Sequence, residues 1–180
     1  MLFEKVILKV FSKFESVRWA YQYRLYRQKY DLSKSFRFNG KEIILYGEGK
    51  IIIGDNTYIG SYSSIQSVEG CVVEIGSNCK ISHYVKIYTK NYDSSKIILG
   101  DTEGGESLGN VKIGNNCWIG AGVFIKEGIT IGNNCVIAAN TVVYKNIPDG
   151  SVVSSSKLHT IKSSKLNYSE TKRKANQSEE

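Results

Sequence analysis

The stretch VKIGNNCWIGAGVFIKEGITIGNNCVIAANTVVYKNIPDG, Val111 to Gly150, decides the fold. Within it Ile113, Ile119, Ile125, Ile131, Ile137 and Val143 fall six residues apart without a break. A period of six drifts around a helix of 3.6 residues per turn, but it suits period-two strands that are each cut short by a corner. Gly114, Gly120, Gly132 and Ala138 follow four of these aliphatics, and Cys117, Val123, Ile129, Cys135, Thr141 and Ile147 stand four places after each of them. Three such units close a triangular turn of about eighteen residues, with the large aliphatic pointing inward on each side.

The same period runs earlier in the chain. Ile53, Ile59 and Ile65 keep it, with Thr57 and Ser63 at the second inward position; the register then slips by four, and Ile75, Ile81 and Ile87 follow with Cys79 and Val85. A short insertion occupies 66–74, and residues 91–110 leave the pattern. The pairs Gly54-Asp55, Gly114-Asn115 and Gly132-Asn133 are expected to supply the tight corners, because Gly and Asn tolerate unusual backbone angles. Turns stacked at the strand separation of about 4.8 Å give a parallel β-solenoid whose core is a ladder of Ile on Ile.

The segments IIIGDNTYIGSYSSI (51–65), VEIGSNCKISHYVKIYT (73–89) and VKIGNNCWIGAGVFIKEGITIGNNCVIAANTVVYKNIPDG (111–150) resemble the bacterial hexapeptide-repeat acyltransferases, over about the middle three-fifths of the chain. The resemblance implies a left-handed parallel β-helix, against the usual right-handed crossover. The expected organisation is an N-terminal helical arm over 1–40, a β-helix over 41–153 with an excursion loop at 91–110, and a C-terminal tail over 154–180.

The arm reads as a helix to about Tyr30. Phe3, Ile7, Val10, Phe14, Val17 and Tyr21 keep three-four spacing, with Lys5, Lys9, Lys13 and Arg18 off the stripe. The stripe either packs on the solenoid or a sister subunit, or lies in a membrane interface beside a lipid-linked substrate. The last stretch, LNYSETKRKANQSEE, is polar and reads as frayed.

Composition narrows the classes. Of 180 residues 41% are hydrophobic, enough for a core, and a single Pro excludes Pro-rich and collagen-like chains. No apolar run approaches the roughly 18–20 residues of a spanning helix, and the N-terminus lacks a cleavable secretory pattern. The cytoplasm is the expected compartment, peripheral at the inner membrane face if the arm binds lipid. The net charge of +7 resides in the ends: 1–40 carry +6, 41–156 carry −2 and 157–180 carry +3. A nucleic-acid protein more often places its basic footprint on the folded body, so no nucleic-acid partner is expected.

Cys71, Cys79, Cys117 and Cys135 read as buried reduced thiols, three of them at the small inward position. Zinc-ligand spacing is absent. Zinc carbonic anhydrases built on hexapeptide solenoids use three His; this chain has only His83 and His159, so no metal is expected.

Acyl transfer from a thioester needs a base for the acceptor proton and an N–H for the charge that develops on the thioester oxygen. The coenzyme carries the activated acyl group. His83, the one His in the repeats, is the candidate catalytic base that the resemblance implies. In the maltose and galactoside acetyltransferase branch the His stands one side later, after IYT; here Tyr92 holds that place in IYTKNYD. Asp93 is a candidate partner for the imidazole. Asn91, Tyr92 and Asp93 are candidate acceptor contacts, because the family's excursion walls the acceptor pocket of a neighbouring subunit. The cofactor-binding residues implied by the matched motifs are Trp118, Gly120, Ala121, Ala139, Lys145 and Lys162. The family's terminal Pro-Ala is missing from Ser155–Lys162.

These readings converge on an acetyl-CoA-dependent acetyltransferase acting on a sugar hydroxyl in capsule, O-antigen or related surface-glycan assembly. It is expected to be a homotrimer, with sites between subunits and a sugar or glycan acceptor. An amino-sugar N-acetyltransferase and a non-catalytic glycan-binding scaffold are the alternatives. An ice-binding solenoid would need outward Thr ladders, and the outward positions carry Asn, Lys, Tyr and Glu. The acceptor, the position acetylated and the acyl group are not legible.

Overall fold

The computed structural model describes residues 2–98, 100, 105–155 and, as backbone, 157–161. Helix α1 (Leu2–Lys29) leads into five three-sided coils. Coil 1 is β1 (Asp31–Leu32), β2 (Arg37–Asn39) and β3 (Ile44–Tyr46). Coil 2 is β4 (Lys50–Ile53), β5 (Tyr58–Gly60) and β6 (Ser64–Gln66). Coil 3 is β7 (Val72–Ile75), β8 (Lys80–Ile81) and β9 (Lys86–Tyr88). The chain then leaves through β10 (Lys90–Tyr92), α2 (Ser94–Ile98) and β11 (Glu106–Leu108). It returns for coil 4, β12 (Val111–Ile113), β13 (Trp118–Ile119) and β14 (Phe124–Ile125), and coil 5, β15 (Thr130–Ile131), β16 (Val136–Ile137) and β17 (Val142–Val143). Strand β18 (Val152–Ser154) starts a sixth coil, and β19 (Lys157–Ile161) folds back on it antiparallel.

The first, second and third strands of successive coils pair in parallel into faces A, B and C. The registers stack the repeat residues: Ile53 on Ile75, Ile113 and Ile131; Ile59 on Ile81, Ile119 and Ile137; Ile65 on Ile87, Ile125 and Val143. All twelve are buried. Each buried aliphatic side chain contributes about 1.5–3 kcal/mol, so the six-residue period is itself the source of the solenoid's stability. At the second inward position, Cys79 N–H donates to Thr57 Oγ1 at 3.0 Å and Val85 N–H to Ser63 Oγ at 3.1 Å. The four cysteines are free and buried. Burial pushes the Cys135 thiol above its ordinary pKa, as expected of a small core residue.

The corners differ from the expectation in an instructive way. Gly54, Gly114 and Gly132 are not the residues with positive φ. The left-handed residue at the A/B corner is the Asn two places later: Asn56, Asn78, Asn116 and Asn134, at φ 53–59°. The glycines answer a different demand. A β-carbon on Gly114 would stand 2.7 Å from the Gly132 carbonyl carbon of the next coil, and one on Gly54 would stand 2.8 Å from Ser77 N. The intervening Asx side chains stitch the coils, with Asn115 Oδ1 accepting from Ser77 N–H and Asn133 Oδ1 from Asn115 N–H, both at 2.8 Å.

The solenoid begins earlier than the sequence suggests. Asp31–Leu32 pair with face A and Arg37–Asn39 with face B, inside the segment 1–40 read as an arm. Helix α1 closes that end. Tyr26, Tyr30 and Phe36 are buried, Tyr23 stacks on Phe38 with centroids 4.1 Å apart, and Tyr23 OH donates to Gly40 O. The rest of the helix is uncovered: Val6, Val10, Phe14, Val17 and Tyr21 are all exposed, so the stripe does not pack on its own solenoid. The excursion is more ordered than a loop. β10 and β11 form an antiparallel ribbon carrying α2, while Asp101 and Glu103 lie outside the described residues.

Candidate active site

His83 stands at the corner where face B turns into face C. Inward Ile81 and Val85 flank it and both are fully buried, which forces the side chain between them outward, and His83 is exposed. The corner repeats in every coil, so the same position recurs as a column: Ser61 in coil 2, His83 in coil 3, Ala121 in coil 4 and Ala139 in coil 5. Main-chain bonds fix that column. Tyr84 N–H donates to Ser61 O at 3.0 Å, Gly122 N–H to His83 O at 2.9 Å and Asn140 N–H to Ala121 O at 2.7 Å. The residue after each column member takes positive φ: Tyr62, Tyr84, Gly122 and Asn140 at 57–69°. A left-handed conformation costs an ordinary L residue about 1–2 kcal/mol.

Three predicted residues therefore come together: His83, Ala121 and Ala139, with Gly120 beside Ala121. Above His83, towards coil 5, the corner is nearly bare main chain, because Gly120, Ala121, Gly122, Ala138 and Ala139 carry at most a methyl group. Among the described residues the Ala121 N–H has no carbonyl partner. That geometry fits a thin extended chain lying along the backbone, with an N–H at hand for a developing negative charge.

Other predicted residues lie elsewhere on the single chain. Trp118 faces outward on face B, stacked in register over Lys80, and lines a groove of about 600 Å³ with Tyr58, Asn78, Lys80 and Asn116. Lys145 is exposed at the C/A corner, a full face away from His83. Lys162 and the tail after Ile161 lie outside the described residues, as does the side chain of His159.

The excursion leaves from the C/A corner, so Asn91, Tyr92 and Asp93 are not beside their own His83. Asn91 Nδ2 donates to Glu127 Oε2 at 2.9 Å, and Lys126 Nζ lies 2.9 Å from Glu127 Oε1. Burial alone would push the Glu127 carboxyl up; the bonds from Asn91, Lys126 and Ser107 outweigh it and hold the pKa below the ordinary value. Asn91 is thus the anchor of the ribbon. Asp93 Oδ1 accepts from Ser95 Oγ and Ser95 N–H, capping α2, and these bonds lower its pKa. Tyr92 is 73% exposed. Sequence reasoning missed Ser61, Tyr62, Tyr84 and Glu127; the column signal was available in the spacing once coils 2 to 5 are aligned.

Two family models match in phase with these coils: "Bacterial transferase hexapeptide (six repeats)" over 110–145 and "Hexapeptide repeat of succinyl-transferase" over 50–82. A candidate acetyltransferase of Saccharomyces cerevisiae, YJL218W, is 38% identical over 65% of this chain and 57% of its own length. This chain therefore spans little more than half of that curated relative. A maltose O-acetyltransferase from Clostridium difficile 630 is 33% identical, with a TM-score of 0.52 over 71% of this chain and 70% of that one. A galactoside acetyltransferase solved in complex with coenzyme A is 25% identical, with a TM-score of 0.61 over 73% of this chain and 64% of that one. With one-third identity across seven-tenths of a solved relative, and repeat models in register with coils 2 to 5, the chain belongs to the bacterial hexapeptide-repeat acyltransferase family.

Proposed function

We propose that this protein transfers an acetyl group from acetyl-CoA to a sugar hydroxyl, in the assembly of a surface glycan such as a capsule or O-antigen. The observation that carries the reading is the alignment of His83 with Ala121 and Ala139 in one corner column. Relatives named for maltose and galactoside acetylation support the sugar acceptor. When bound, acetyl-CoA supplies the acetyl group as an activated thioester. The small residues of coils 4 and 5 let its pantetheine arm lie against the backbone. His83 accepts the proton of the attacking hydroxyl, and the Ala121 N–H faces the oxygen on which charge develops.

A C3 trimer completes the site, because one corner supplies half a groove. It also brings the excursion of one copy, with Tyr92 exposed on it, towards the His83 corner of the next, and gives Lys145 a route to the coenzyme phosphates. The decisive experiment follows thiol release from acetyl-CoA over a panel of glycans for wild type and His83→Ala. Release by the wild type with a loss of at least a hundredfold in the variant supports the reading; equal rates remove His83 from it, and no release by the wild type removes the enzyme.

We infer also that α1 seats the enzyme on an anionic membrane surface. At 100° per residue, Val6, Val10, Phe14, Val17 and Tyr21 lie on the face opposite Trp19, Tyr23, Tyr26 and Tyr30, which turn to the solenoid. The helix holds seven Lys/Arg against two Glu, a balance that suits anionic lipid headgroups. A parallel bundle of three such helices would instead set Lys13 against Arg18 of its neighbour. No helix among the described residues is long and apolar enough to cross a membrane, so contact is interfacial.

A further inference from the structure

The imidazole of His83 folds down over Gly60, towards coil 2 and away from the bare main chain of coils 4 and 5. The next member of the column in that direction is Ser61, and it lines a cleft of about 490 Å³ between the B/C corner and helix α1. The corner supplies Lys41 and Ser61, and α1 supplies Glu15, Ser16, Trp19 and Ala20. At 100° per residue these four helix residues share the face turned away from the exposed stripe of Val6, Val10, Phe14, Val17 and Tyr21.

The cleft has fixed walls. Tyr23 OH donates to Gly40 O at 2.9 Å and accepts from Ile43 N–H at 3.3 Å, which pins α1 to the corner. Gly40, at φ 138°, lies beneath Ser61, and a β-carbon there would collide with Ser61 Oγ. The Ser61 side chain therefore turns down to the coil 1 edge of the cleft, where its Oγ accepts from Lys41 N–H at 3.2 Å. The walls carry both signs of charge. Tyr62 beside Lys41 pushes the lysine's pKa up, and Glu15 on the helix adds to the effect. Trp19 keeps its indole N–H buried with no hydrogen-bond partner among the described residues, so the wall holds a donor that the protein does not use.

We propose that this cleft is the acceptor subsite and that it takes a neutral hexopyranose. Ring hydroxyls donate to the Glu15 carboxylate and accept from the Lys41 ammonium, and the indole gives an apolar wall for the C–H edge of the sugar. One cation and one anion among the lining residues leave no net charge to draw a uronate or a phosphate. The column is then divided at His83. The thioester arm lies on the small residues of coils 4 and 5, the sugar lies beside Ser61 and α1, and the imidazole is turned to the sugar's side. The proposal rests on the sugar-acetyltransferase reading and names the class of its acceptor.

The test separates the two. Binding is read by saturation-transfer NMR, without turnover, for the methyl β-glycosides of glucose, galactose and glucuronic acid. The proteins are wild type, Glu15→Gln and Ala20→Trp. Both changes fall on the exposed side of α1, so melting temperatures should stay close to wild type. The expected result is binding of at least one neutral glycoside by the wild type, with the glucuronide weaker. Ala20→Trp fills the cleft and should weaken that sugar by roughly tenfold or more, and Glu15→Gln by about threefold or more, with acetyl-CoA binding unchanged in both. Equal sugar affinity in Ala20→Trp, no glycoside bound by the wild type, or a sugar displaced by acetyl-CoA overturns the subsite; a preference for the glucuronide overturns the neutral class. Sugar binding lost in Ala20→Trp, with no thiol release from acetyl-CoA by the wild type, would keep the subsite and sink the enzyme. Thiol release with an unchanged acceptor KM in Ala20→Trp would do the reverse.

Discussion

The imidazole Nδ1 of His83 lies 2.8 Å from the point that a β-carbon on Gly60 would occupy, one coil below. Glycine at 60 is therefore what allows the ring to fold down against the coil beneath. The same β-carbon would also stand 2.9 Å from the His83 backbone nitrogen. Gly60→Ala must push the coils apart or swing the imidazole away. Since displacement of about 1 Å at a reacting group costs up to about a hundredfold, kcat should fall by ~10–100-fold. Overpacking should lower stability by about 1–3 kcal/mol. Steady-state kinetics beside a denaturant melt check both; full kcat in a folded variant would detach the ring's position from catalysis.

The Ile ladder predicts a graded response. Ile119 is fully buried between Ile81 and Ile137 in the middle of face B. Ile119→Ala should cost about 2–5 kcal/mol, and Ile119→Val about 0.5–1.5 kcal/mol. Urea unfolding measures this, and equal losses for the two variants would mean that coil stacking does not depend on the ladder.

At the A/B corner, Asn134 takes φ 55°. Asn134→Gly should leave stability within a few tenths of a kcal/mol of wild type, since Gly also accepts this conformation. Asn134→Ala should lose about 1 kcal/mol or more. The order Asn and Gly above Ala is the expected signature, read from melting midpoints.

Glu127 ties the excursion to the solenoid and carries a depressed pKa. A group depressed in the folded state stabilises above its unfolded pKa, near 4.3, and loses that stabilisation as pH falls through the lower folded value. Amide protection at Asn91, Tyr92 and Ser107, taken relative to the intrinsic exchange rate at each pH, should therefore fall below pH ~4, well before the coils open. Glu127→Gln should show the low protection already at pH 7. Exchange in the variant as slow as in wild type would show that Asn91 is held by something else.

On the membrane reading, Val10→Asp/Phe14→Asp should abolish co-sedimentation with vesicles containing phosphatidylglycerol while thiol release with a short water-soluble acceptor stays within about twofold. Binding should weaken with salt, as an electrostatic share requires. A double variant that changes oligomeric state instead of vesicle binding would assign the stripe to a neighbouring copy.

The solenoid from coil 2 onward was legible because period six is a local pattern: each inward Ile announces its own side, and stacking merely repeats it. Coil 1 was not, because Phe36, Phe38, Ile43 and Leu45 replace the regular Ile and are completed by tyrosines of α1. The order within 91–110 was hidden because the ribbon depends on Glu127, which follows Asn91 by 36 residues. The thiols were read correctly as core residues, since small inward positions admit little else.

The spacing of aliphatic and small residues was enough by itself to dictate a three-sided stack, since a side chain every six residues has one way to be buried. The candidate base His83 came from the family resemblance, and the spacing placed it only as an outward residue between Ile81 and Val85. The tertiary structure alone decided which glycines carry a turn and which carry a close approach, for that depends on the coil above. It alone put Gly60 beneath an imidazole, because the two residues are more than twenty positions apart in the chain and meet only when the coils close.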